Sequence, residues 1–146
     1  MSRFKPVLPL IQYNAKHLIR ISSPFWLTHS DYFFENGGFR EKTFFIDSSL
    51  NEYEIFSVSK SRLSFNIVHL TGWINGLFWY KANYELSDPV QISFDELKVR
   101  VIDLVVRKRW YAQGGQTRMQ FTEAFNAFAN MQDLMANISA YGDPPF

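Results

Sequence analysis

The chain has 146 residues, 47% of them apolar and 18% aromatic, which is the size and core material of one ordinary domain spanning 1–146. It has no Cys, which excludes disulfide scaffolding, thiol catalysis and Cys-based zinc sites and fits a reducing compartment, with cytoplasm as the default. A formal net charge of +1 gives no general affinity for nucleic acid, and no apolar window approaches the roughly 18 residues of a spanning helix, so a soluble protein with no membrane partner is expected.

Phe4 to Ile11 is apolar but contains Pro6 and Pro9, which lack backbone donors and suit an extended edge segment better than a helix. Lys5, both prolines and Gln12 interrupt the run, and no small-residue cleavage site follows, so a signal peptide is not expected. Tyr13 to Ile21 suits a short helix or a strand equally. Ser23 at an N-cap and Pro24 at the first helical position predict a helix that stops at Asn36-Gly37-Gly38, although Phe25-Trp26-Leu27 and Tyr32-Phe33-Phe34 are clusters rather than a stripe.

Thr43 to Asp47 and Tyr53 to Lys60 read as strands joined by a turn at Ser48-Ser49-Leu50-Asn51, with Ser59-Lys60-Ser61 turning the chain into the next strand. Arg62 to Leu86 holds the clearest alternation, Leu63, Phe65 and Ile67 and then Phe78, Tyr80, Ala82, Tyr84 and Leu86. Asn75-Gly76 between them favours a type I′ hairpin turn, while Thr71-Gly72 suits a bulge or an earlier turn. These strands are expected to form an antiparallel meander, which the chain leaves at Asp88-Pro89.

Ser93-Phe94-Asp95-Glu96 is a capping-box pattern that predicts a helix from Phe94 to about Gln113, stopped by Gly114-Gly115. Its polar stripe, Glu96, Arg100, Asp103 and Arg107, places two acid-to-base pairs on one solvent face, and its broad apolar arc implies burial on two sides. A second helix is expected from about Gln120 to Ala140, with Phe121, Phe125, Phe128, Met131, Met135 and Ile138 at helical spacing and Ala124, Ala127 and Ala129 admitting a neighbouring helix. Tyr141 to Phe146 reads as a terminal cap or tail. The fold class expected is α+β: an antiparallel β-meander packed on one face by two C-terminal helices, with a mixed N-terminal segment.

Chemistry is sparsely supplied. His17, His29 and His69 lie far apart without ligand spacing, and His69 reads as a packed strand histidine. There is no GxGxxG, P-loop or GxSxG pattern, so no cofactor, metal or catalytic residue is assigned. Glu52 and Glu54 share a strand face, as a glycosidase-like carboxylate pair does, but exposed edge charges are far more common. Arg107-Lys108-Arg109-Trp110-Tyr111 mixes bases with aromatics, yet on a helix the five point in all directions. Charge is asymmetric: residues 1–30 carry Arg3, Lys5, Lys16 and Arg20 with no acid, whereas residues 31–54 carry Asp31, Glu35, Glu41, Asp47, Glu52 and Glu54 against Arg40 and Lys42. This acidic run is the candidate surface for a basic partner, against the competing reading of ordinary solvated charge. Trp79, on the more polar face of its strand, is the candidate anchor for an interface.

In size, Cys-free composition, the aromatic meander ending in GWINGLFWYKANYEL and the FDELKVRVIDLVV and FTEAFNAFANMQDL helices, the chain resembles the small cytoplasmic immunity proteins of bacterial contact-dependent growth inhibition and other polymorphic-toxin systems. The resemblance covers most of the chain and has no diagnostic motif. It implies a protein without catalysis that binds one cognate toxin domain and occludes its active site or substrate entry. Partners of basic nuclease toxins are often acidic, and this chain is not. The partner-binding residues expected on local grounds are Asp31, Glu35, Asp47, Glu52, Glu54 and Trp79. The competing expectation is a small-molecule-binding domain or minor enzyme with an aromatic-lined pocket between sheet and helices.

Overall fold

In the computed structural model the residues described are 6–22, 28–30, 39, 41–61 and 79–142, with backbone alone at 28–30, 60–61 and 79–81. Among the described residues eight strands form one antiparallel sheet: β1 (Leu10–Tyr13), β2 (His17–Ile21), β3 (Thr28–Ser30), β4 (Phe44–Asp47), β5 (Asn51–Ser61), β6 (Trp79–Leu86), β7 (Val90–Gln91) and β8 (Tyr141–Gly142). The order is β3-β6-β5-β4-β1-β2-β8, and β7 continues the line of β6 along β5. The helices α1 (Phe94–Arg107), α2 (Arg118–Asn126) and α3 (Met131–Asn137) follow the main strands in sequence, with a 3-10 segment, Trp110–Gly114, between the first two. This is an α+β fold, and among the described residues no helix is long and apolar enough to cross a membrane.

The stretch left open between helix and strand is a tight hairpin. Asn14 Oδ1 accepts from the amides of Lys16 (2.7 Å) and His17 (3.0 Å), which closes the turn from β1 into β2. Of the segment read as an edge, Leu10 and Ile11 are interior, since β1 pairs with both β2 and β4. The helix expected from Ser23 to Asn36 is contradicted at its centre, where Thr28 to Ser30 is a strand paired with β6. Ser59-Lys60-Ser61 does not turn but continues β5, and β5 pairs directly with β6 through a bulge at Phe56, so no strand lies between them. Arg62 to Phe78, with the Asn75-Gly76 turn and His69, lies outside the described residues.

Alternation along β1, β2 and β4 sorts the core into two clusters. Ile11, Leu18 and Ile46 face the helices and pack with Leu97, Val101, Leu104 and Val105 of α1, Phe121 and Phe125 of α2, and Leu134 and Met135 of α3. Leu10, Ile19, Ile21, Phe45, Tyr53 and Leu86 form a second cluster on the other face. Each such side chain contributes about 1.5–3 kcal/mol on burial.

The helices are shorter than the periodicity predicts. Ser93 caps α1, accepting from the Glu96 amide at 3.0 Å, but the Glu96 side chain does not close the box and bonds Arg100 instead. Burying Trp110 turns the backbone at Arg109 (φ 57), which ends α1 six residues before Gln113. The second helix is split: Thr117 and Gln120 form a reciprocal capping box on α2, and Asn130 caps α3 by accepting from the Asp133 amide at 2.8 Å. Ala124, Ala127 and Ala129 are exposed rather than packed. Tyr141-Gly142 is no tail, since it pairs with β2 and buries the Tyr141 ring against Phe121.

Candidate functional site

Where β1, β4 and β5 meet the polar stripe of α1, the sheet register gathers a group of rings and charges. Tyr13 and Phe44 are register partners on the helix-facing side, and their rings stack at 5.3 Å and 21°. Glu54, opposite Phe44, and Glu52, two residues back, share that side. Arg100 reaches from α1 to Glu52 with one nitrogen and to Glu96 Oε1 (2.6 Å) with another, while Tyr13 Oη donates to Glu52 Oε2 at 2.7 Å. Lys42 Nζ lies 3.5 Å from Glu54 Oε1 and 5.7 Å from the centre of the Phe44 ring. Between them a groove of about 340 Å³ is lined by Tyr13, Lys42, Phe44, Arg100, Asp103 and Arg107, among others.

Every ionisable group of the groove is already paired, since Arg107 also lies 3.9 Å from Asp103. Burial first, then the Glu52 carboxylate, pushes the Tyr13 hydroxyl well above the usual tyrosine range, and burial does the same to Tyr84 on the opposite face. A group whose folded pKa is raised holds its proton more tightly when folded, so its contribution is complete below pH 10.0 and is lost as pH rises beyond it. Stability measured by denaturant titration is therefore expected to fall progressively above about pH 10, and less steeply in Tyr13→Phe. A flat alkaline profile would contradict the burial described.

The structure sorts the expected partner-binding residues. Asp47 is corrected: it is 0% exposed, and its carboxylate accepts from the backbone amides of Val7, Ser49 and Asn51, organising the β4–β5 turn rather than facing a partner. Glu52 and Glu54 are brought together, each beside its own cation, so the described part of the acidic run is not a bare acidic patch. Asp31 and Glu35 lie outside the described residues; Trp79 sits in β6 opposite Ser30, and its side chain is outside them too. Further along β6, Asn83 and Glu85 are exposed while Ala82 and Leu86 are buried, as the alternation predicts. His17 is fully buried with Nε2 2.9 Å from Gln12 Oε1 and its ring 5.9 Å from that of Phe39, a packed histidine.

Sequence reasoning missed Tyr13, Lys42 and Phe44 as site residues. It found the α1 stripe but assigned it to solvent, whereas Arg100 turns inward across the sheet. A half-buried Glu at a strand position facing a helix was the signal available. The chain matches no protein-family model, no curated protein and no solved structure.

Proposed function

We propose that this is a binding protein without turnover of its own, which neutralises a cognate bacterial toxin domain by occluding its active site or substrate entry. The observation that supports it is the groove: stacked Tyr13 and Phe44 flanked by Arg100, Arg107 and Lys42. Aromatic and Arg side chains are the types enriched at binding hot spots, and half-exposed ion pairs can exchange partners at little cost. The toxin as partner rests on the resemblance to immunity proteins. In this reading the rings anchor, and the Lys42–Glu54 and Asp103–Arg107 pairs at the rim steer an approaching chain and fix its register.

The test is binding of the purified chain to any toxin domain encoded beside its gene, and the absence of such a neighbour would count against this reading. Phe44→Ala is expected to speed dissociation and cost about 2 kcal/mol, roughly thirtyfold in affinity. Glu54→Lys is expected to change the association rate and its salt dependence. Trp79→Ala reports whether β6 belongs to the same surface. Folded variants that bind like the parent at Phe44 and Glu54 would move the interface elsewhere.

A second reading has its own support. The groove volume falls within the range of small-molecule sites, about 300–1,000 Å³, and rings beside cations suit a planar, anionic ligand. A metabolite that raises the melting temperature of the parent and not of Phe44→Ala would favour it.

A further inference from the structure

On the flank of α1 beyond Asp103, away from the Arg100 groove, a second apolar stripe is only partly covered. Val99, Ile102 and Val106 recur at i, i+3 and i+7; Ile102 and Val106 are half-buried against the core, and Val99 is 67% exposed. They share an open groove of about 780 Å³ with Met119 of α2, itself 69% exposed. The two helices run antiparallel, since Lys98 near the start of α1 reaches the Asn126 carbonyl at the end of α2. The broad apolar arc of α1 is thus covered on one side by the sheet and only partly on the other by α2.

The charges on this surface indicate what completes it. Arg118 is the first residue of α2 and Glu123 lies in its second half, with no acid in the first turn and no base in the last. That is the reverse of what the helix dipole favours. Neither residue makes an ion pair among the described residues, although both line the groove. Lys108 lies at the Arg118 end of α1, and Asp95 at the opposite end. A two-fold axis in the plane of contact and perpendicular to the helices sets α2 antiparallel to its copy. Arg118 then faces Glu123 of the other chain twice over, the helix dipoles oppose, and the apolar residues close on each other.

We infer that the α1–α2 face binds a second copy of this chain as a symmetric dimer. Sedimentation velocity or light scattering on the full chain is expected to show a concentration-dependent rise towards twice the monomer mass. Met119→Glu is expected to raise the dimer dissociation constant at least about tenfold. Arg118→Glu alone and Glu123→Arg alone each bring like charges together twice and are expected to weaken the dimer. Mixing those two single variants, or joining both changes in one chain, restores opposite charges at both contacts and is expected to restore association. All three positions altered here are exposed, and unchanged thermal unfolding verifies each fold. A parent chain that stays monomeric at every concentration would overturn the inference. So would a dimer in which the two reversals fail to rescue each other.

Discussion

Gly142→Ala is expected to release the C-terminal strand from the sheet. Gly142 has φ +79°, and a Cβ there would stand 2.1 Å from the Lys16 carbonyl oxygen and 2.8 Å from the His17 Cα. Both obstacles are backbone, so no side chain can swing aside. The strand must leave β2, losing the burial of Tyr141 against Phe121 and the bond from the Gly142 amide to Gln113 Oε1. A cost of about 3–5 kcal/mol is expected, from lost aromatic burial with backbone strain. Gly115→Ala is the control, because Gly115 also has positive φ (+72°) but nothing within 4 Å of the added carbon. It should cost only the left-handed penalty, about 1–2 kcal/mol. Denaturant titrations giving equal losses for the two would refute the close packing of β8 on β2.

The second large effect is expected at Arg100. Arg100→Met keeps the apolar stem but leaves Glu52, whose side chain is 13% exposed, with Tyr13 as its remaining donor. Isolating a buried carboxylate costs about 3–5 kcal/mol, and Arg100 is itself 36% exposed, so about 2–3 kcal/mol is expected here. Adding Glu52→Gln removes the stranded charge, and the double variant should recover part of the loss. A double-mutant cycle with no coupling would show that α1 is not clamped to the sheet through this pair.

What was legible in the sequence depended on how many faces an element buries. The α1 helix buries one stripe and shows another, so its cap at Ser93 and its Glu96–Arg100 pairing were readable. β1 and β2 are covered on both faces, so LIQY and HLIRI lack the polar-apolar alternation in sequence that separates strand from helix, and residues 13–21 stayed ambiguous, whereas the Phe and Ile of FFID were enough to read β4 as a strand. The break between α2 and α3 was written in Asn130-Met131-Gln132-Asp133, as the start of α2 was in Thr117-Arg118-Met119-Gln120, but the helical spacing of Phe121, Phe125, Phe128, Met131 and Met135 runs through the gap and hid the second cap. The site suffered differently. Glu52 and Glu54 were visible as acids, but their neutralisation depends on Arg100 and Lys42, and the former contact spans 48 positions in sequence. The buried fate of Asp47 was signalled by the turn it begins, because Asp before Ser-Ser-Leu-Asn is well placed to hold backbone amides.

The order of elements along the chain also sets a timetable for synthesis. Strands β1, β2 and β4 can pair once Asp47 has left the ribosome, yet the apolar side formed by Ile11, Leu18 and Ile46 is covered by helices whose last core residue is Met135. Translating the 88 residues from Ser48 to Met135 takes on the order of 4–18 s at about 5–20 residues per second. For that interval the nascent sheet presents a bare greasy surface, and the edge of β2 that β8 finally covers is open for longer still. Slower elongation through the α1–α3 codons would lengthen the exposure, making yield in the cell sensitive to chaperone supply.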